Sequence, residues 1–161
     1  MHLINIERMA KRGMCMRQIS KILFLFAVGG ATYYSIELVC RGRSHPSMFL
    51  LGGICFVLCG GLNELFPEDI PLWQQMFACS LMITLLELIF GYVINIRLNL
   101  NVWDYSRQPL NFKGQICLLF SVIWFFLGGV AIVADDVLRH VLYQENKVRY
   151  NLGLKTFFHH Q

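Results

Sequence analysis

A chain of 161 residues in which 56% are hydrophobic and 15% charged does not have the make-up of a soluble domain, where about 25% are charged. A fold this small could not hide so much apolar surface from water, because the buried fraction falls with size. The net charge of +4 comes largely from the termini and the short connections, not from a folded basic module, so no nucleic-acid partner is expected.

Residues 1–20 form a basic segment carrying Arg8, Lys11, Arg12 and Arg17, expected to be amphipathic. The first apolar run, Lys21 to Cys40, has about the ~20 residues a helix needs to cross the hydrocarbon core. It is too long for the apolar part of a signal peptide, lacks an A-x-A-like cleavage site and holds Glu37, so it reads as a retained span. Arg41, Arg43 and Pro46 end it. The second run extends from Met48 to Phe66, and Pro67, Glu68, Asp69 and Pro71 separate it from the third, Trp73 to Ile96. A longer connection, Arg97 to Gly114, leads to the fourth run, Gln115 to Ala134. The chain therefore reads as one all-α domain: a membrane bundle of four transmembrane helices over 21–136, preceded by the basic segment 1–20 and followed by a polar tail, 137–161.

Such a topology puts both termini and the Phe66–Trp73 connection on one side. Arg8, Lys11, Arg12, Arg17, Lys21, Arg139, Lys147, Arg149 and Lys155 would lie there, against Arg41, Arg43, Arg97, Arg107 and Lys113 opposite. The positive-inside rule then places the termini in the cytoplasm, although the Phe66–Trp73 connection is purely acidic. The six cysteines sit mostly within or beside apolar runs and lack zinc-site spacing, so they read as packing residues. Neither metal nor cofactor is expected.

Within a membrane helix the informative residues are the small and polar ones. Ser80, Thr84, Glu87, Gly91 and Asn95 recur every three or four positions, which gathers them on one helix face. Gly30, Tyr33, Glu37 and Arg41 repeat the device in the first run; Gly52, Cys55, Cys59 and Asn63 in the second; Gly114, Ser121, Gly128 and Asp135 in the fourth. Such faces let membrane helices approach closely and hydrogen-bond. The two glutamates are another matter, because a charge deep in a span costs roughly 2.5–3.5 kcal/mol on insertion scales. Glu37 is one turn from Arg41 and can pair with it, whereas about 15 Å of helix separates Glu87 from Arg97.

Both glutamates fall in the membrane half nearest the connections that follow them. Those connections carry Arg41, Arg43, Ser44, His45, Arg97, Asn99, Asn101, Trp103, Asp104, Tyr105, Arg107, Asn111 and Lys113, with Gln115 just beyond. The opposite connection has only Glu64, Glu68 and Asp69 at its edges. The pattern describes a polar cup opening to one face, with Glu37, Glu87, Asn95, Arg41, Arg43, His45, Arg97, Trp103, Asp104, Tyr105, Asn111 and Gln115 as candidate solute- or ion-binding residues. The Arg97–Gly114 connection is expected to pack on the bundle mouth, anchored by Trp103 and Tyr105 and turned by Asp104.

The segment Trp103-Asp104-Tyr105-Ser106, followed by Pro109, Asn111, Gly114-Gln115-Ile116-Cys117 and Trp124, resembles the CmpB-like family of small bacterial membrane proteins, labelled type IV ABC-transporter permeases. Glu87 followed by Gly91, and a glutamate late in the first span, match as well; the resemblance extends over roughly Tyr33 to Asp136. A eukaryotic family of four-span membrane proteins shares the WDYS segment. The resemblance implies a membrane fold, a bacterial cell membrane and a transport role. The chain has no GxxxxGK[ST] phosphate loop, so an ATPase partner would be a separate polypeptide.

The leading expectation is a permease-like protein in the lipid bilayer that binds a small polar solute, ion or lipid headgroup around Glu37 and Glu87, with a homo-oligomer as an expected partner arrangement. The alternative is a holin-like or other pore-forming oligomer, because members with the Ser44-His45-Pro46-Ser47-Met48 type of connection resemble proteins from phage-like gene neighbourhoods. An enzyme using Glu87, Asp104 and His45 as acid/base groups is the least favoured, since no catalytic motif accompanies them.

Overall fold

The computed structural model describes residues 2–67, 70–145 and 150, with side chains from Met14 onward except that of Asn63. Glu68, Asp69, Lys147, Arg149, Lys155 and the basic side chains before Met14, all used in the charge reading, lie outside the described residues, as does the side chain of Asn63.

Among the described residues the chain is all-α apart from one two-residue ladder. Helix α1 runs His2–Arg41, α2 Pro46–Leu65, α3 Leu72–Gly91 and α4 Leu118–Tyr143. Strands β1 (Asn111–Phe112) and β2 (Ile116–Cys117) form an antiparallel hairpin just before α4. The first helix does not begin at Lys21: it is continuous over 40 residues, about 60 Å at 1.5 Å per residue, twice the hydrocarbon thickness. The fourth helix also differs from the expected span. Gln115 belongs to the hairpin turn, and the helix starts at Leu118 and continues through Asp135 and Asp136 to Tyr143. Asp135 pairs with Arg139 one turn on, so the carboxylates do not end the helix, which stops where Gln144 turns left-handed (φ 58°).

Helix starts and stops have local causes. His45 precedes α2, and its Nδ1 accepts the Ser47 backbone N–H at 3.2 Å while Pro46 occupies the first helical position, a capped, proline-led start. Past Gly91, α3 widens into a π-helix over Tyr92–Arg97. The wider turn absorbs the drift that steps of four residues accumulate in an α-helix, so Asn95 still faces inward on the same side as Gly91.

Helix α1 packs on α2, α4 on α3, and α2 touches both α3 and α4. The small-residue faces form these contacts: a Cβ at Gly52 would lie 2.5 Å from Tyr33, one at Gly30 2.5 Å from the Phe49 carbonyl, and one at Gly128 2.9 Å from Cys79. Ser80 Oγ donates to the Ser121 carbonyl at 2.6 Å, and Thr84 to the Ser121 hydroxyl at 3.1 Å. Polarity is inverted relative to a soluble protein. Lys21, Glu37, Gln75, Ser80, Glu87, Asn95, Gln115, Asp135 and Asp136 are buried, whereas Leu23, Val39, Phe77, Leu85, Phe126, Val130 and many other apolar side chains face outward. Met14–Arg41, Leu72–Arg97 and Leu118–Tyr143 are long and apolar enough to cross a membrane, with Pro46–Leu62 a shorter apolar segment, and no more than 33% of any long apolar window is buried. An apolar exterior on that scale requires a lipid solvent. The chain is an integral membrane protein.

Candidate functional site

The connection after α3 folds back onto the bundle. Asn95 organises it: its Nδ2 donates to the Trp103 carbonyl and to Gln115 Oε1, both at 2.9 Å, and its Oδ1 accepts the Val102 N–H at 2.7 Å. Trp103 is buried, with its indole N–H on the Gln115 carbonyl at 3.0 Å. Gly91 leaves the room this requires, since a Cβ there would lie 2.5 Å from Gln115 Oε1. Asp104 forms a turn by accepting the Ser106 N–H at 2.8 Å and the Ser106 hydroxyl at 3.0 Å. Those bonds, with Arg107 nearby, hold its carboxyl below the usual carboxylate range. Asn111 donates to the Gln108 carbonyl at 2.7 Å and accepts the Gly114 N–H at 3.1 Å. Gly114 has φ 68°, a left-handed conformation that favours glycine. The residues of the recognisable segment thus build one ordered plug over the bundle mouth.

Beneath the plug lies Glu87, 3% exposed. Tyr105 reaches down from the connection and donates its hydroxyl to Oε1 at 2.8 Å; the Trp124 indole N–H donates to Oε2 at 2.9 Å. Burial, and then the adjacent carboxylate, push the Tyr105 hydroxyl above its ordinary value, so it stays a donor. Tyr105 stacks on Phe120 at 4.4 Å between centroids, Phe120 lies 6.0 Å from Trp124, and Trp124 meets Tyr33 of α1 at 5.9 Å. No ion pair to Glu87 occurs among the described residues, in contrast to Glu37, Asp135 and Glu145.

The sequence reading expects one cup around both glutamates; the structure divides it. Glu37 binds Arg41 Nη1 at 2.6 Å and accepts the Ser44 hydroxyl at 2.6 Å, while Arg41 Nη2 donates to the Val102 carbonyl at 2.9 Å. Glu37, Arg41, Arg43 and His45 line a mouth pocket of about 170 Å³ with Asn101 and Val102. Glu87 lines a different cavity of about 190 Å³, an apolar groove walled by α1 and α4 and floored by Leu51, Gly52, Cys55, Phe56 and Cys59 of α2. Arg97 joins neither pocket: it is exposed, donating to the Tyr92 hydroxyl at 3.1 Å and lying 5.3 Å from that ring's centroid. Asn95, Trp103, Asp104, Asn111 and Gln115 build the plug, and Tyr105 of the connection hydrogen-bonds Glu87. His45 is engaged as a helix cap and Asp104 as a turn, and neither bonds Glu87, which leaves the acid/base triad of the enzyme reading unassembled. Among the described residues no three His, Cys, Asp or Glu side chains converge on a metal-sized site.

A family model described as "Putative ABC-transporter type IV" matches residues 14–157. The chain belongs to this CmpB-like family. The match covers all four apolar helices, the plug and Glu87, and it carries the transporter label that the WDYS segment suggests. No curated protein and no solved structure gives a significant match.

This CmpB-like chain has a second buried charge cluster, at the opposite end, that sequence reasoning does not assemble. Asp135 is fully buried and paired with Arg139 Nε at 2.5 Å; Arg139 Nη1 lies 3.6 Å from Glu64 and 3.8 Å from Glu145, and Lys21 pairs with Glu145 at 2.6 Å. Tyr150 donates to Asp136. A Cβ at Gly60 would lie 2.2 Å from the Asp135 carboxylate, so glycine there makes room for the charge. The available signal is Asp135 on the inward face of the fourth helix together with Arg139 at i+4. A span that ends at Ala134 hides it.

Proposed function

We propose that the protein is a permease-like membrane component with all four helices spanning the bilayer, and that Glu87 is its solute- or ion-binding carboxylate. One observation carries this reading: Glu87 is buried, hydrogen-bonded to Tyr105 and Trp124 but not ion-paired, and it lines an open intramembrane groove. An uncompensated carboxylate at that depth is costly, and packing alone would be served by a smaller apolar residue. It therefore needs a positive partner, and the proton is the smallest. Glu37, Arg41, Arg43 and His45 form the outer pocket, which meets solutes from the mouth side. A separate ATPase polypeptide supplies any ATP-driven step.

The carbodiimide reagent dicyclohexylcarbodiimide modifies protonated carboxyls reached from the bilayer and spares ion-paired ones. Mass spectrometry of the treated protein in lipid is expected to find Glu87 modified, Glu37 and Asp135 spared, and nothing at that position in Glu87→Gln. Modification should fall as the pH rises. An unmodified Glu87 in a folded protein would overturn the reading and favour a pore, whose conduction does not depend on one carboxylate.

Four spans also fix sidedness. Single cysteines introduced at Glu64 and Arg107 into a cysteine-free background are expected to label with a membrane-impermeant maleimide from opposite sides. Labelling from one side only would remove the four-span topology. The same experiment tests the cytoplasmic placement of the termini, which share the Glu64 side.

A further inference from the structure

Resting on the reading of Glu87 as a binding carboxylate, we propose that its ligand is a lipophilic organic monocation, its nitrogen held at Glu87 and its alkyl body lying in the groove between α1 and α4. Three features point to that chemistry. The first is charge. Among the described residues, the polar groups that face Glu87 are Tyr33 from α1, Cys55 from α2, Tyr105 from the connection and Trp124 from α4, and none is a cation. The site therefore presents one negative charge to whatever enters. The second is the aromatic wall: Tyr33 and Trp124, 5.9 Å apart, line the groove with Glu87. Trp124 meets the carboxylate with its N–H edge, and aromatic side chains beside a carboxylate suit a weakly hydrated ammonium-type charge that can be stripped of water.

The third feature is shape and depth. The groove follows α4 from Trp124 to Leu138, about 21 Å of helix at 1.5 Å per residue, within a cavity of only about 190 Å³. A long, thin, apolar slot suits an alkyl chain and not a compact hydrated solute. Gly29 and Gly52 help to shape it, with Phe56 and Tyr33 pressed against them. Tyr105 covers Glu87 from the mouth side, so the approach is sideways, from the bilayer between α1 and α4. A phospholipid amine fits poorly. Glu87 lies about 15 Å along the helix from Arg97, and a headgroup drawn to that depth would bring its phosphate towards an unpaired carboxylate. Exchange of a proton for the organic cation keeps the site neutral in both states, so neither state leaves a bare charge in hydrocarbon.

The test uses the full-length protein in phosphatidylcholine nanodiscs, with decyltrimethylammonium as the probe and carbodiimide modification of Glu87 as the readout. Decanol (neutral) and decyl sulfate (anionic, with no carboxyl for the reagent to attack) match its chain. The cation is expected to slow modification of Glu87 by about tenfold or more, the factor that 1.4 kcal/mol represents, whereas decanol and decyl sulfate change it little. Trp124→Phe keeps a ring but loses the indole N–H and the stronger cation–π face, and should weaken protection several-fold. Protection by decanol equal to that by the cation would overturn the proposal and make the groove an acyl-chain site. Protection by phosphatidylethanolamine nanodiscs without added probe would also overturn it, by assigning the site to a lipid headgroup. Modification that no probe alters would defeat the monocation while leaving Glu87 as a reactive carboxyl. Absence of modification altogether would instead defeat the underlying reading, so the two failures are distinct.

Discussion

Arg139→Ala is expected to destabilise the folded protein strongly. Arg139 compensates Asp135, which is wholly buried, and also approaches Glu64 and Glu145. Removing one member of a buried pair leaves a charge uncompensated and typically costs about 3–5 kcal/mol. Glu64 and Glu145 are 49% and 36% exposed, so water screens them and they add little to that figure. At roughly 2–4 °C per kcal/mol for a chain of this size, the melting temperature in lipid nanodiscs should fall by on the order of 10 °C. The double variant Asp135→Asn with Arg139→Met removes both charges while keeping the shape against Gly60, and most of the loss should return. A single variant that melts like the parent, or a double variant no better than the single, would show that charge compensation of Asp135 does not stabilise the packed end of α4.

Asn95→Leu is expected to release the plug. The side chain satisfies the Val102 N–H, the Trp103 carbonyl and Gln115 Oε1 at once, in a buried position. Each orphaned polar group costs about 1–3 kcal/mol, and leucine can replace none of the bonds. Trypsin should then cut at Arg107 and Lys113, on the exposed part of the connection, at least several-fold faster than in the parent. Asn95→Asp keeps the acceptor for Val102 but loses both donors, so its effect should be intermediate. Equal cleavage rates in all three proteins would mean that the plug is held by Trp103 and the hairpin, not by Asn95.

The inward stripe of α3 is legible in the order of residues alone, because its spacing is local: Ser80, Glu87, Gly91 and Asn95 are all buried and Thr84 half-buried. The pairing of Glu37 with Arg41 is legible for the same reason, being one turn apart on one helix. Arg97 is misjudged because charge and membrane half say only that it lies near the mouth. The direction of its side chain depends on the π-helix, whose wider turn carries Arg97 outward to Tyr92. The single cup is misjudged because a connection rich in polar residues looks open in sequence; here its polar groups are spent on one another.

By itself the sequence determined the helices, their lipid environment, the inward faces and the family, since all of these follow from composition, from periodicity along one rod, or from a contiguous motif. Only the tertiary structure decided what meets what. Tyr105 and Trp124 converge on Glu87 from 18 and 37 residues away, and Asp135 fits against Gly60 across the α2–α4 contact. Such contacts depend on the shift and rotation of one rigid helix against another, which local spacing does not encode. The division into a mouth pocket and an apolar groove arises there, because each is lined by segments that only the assembled bundle brings together.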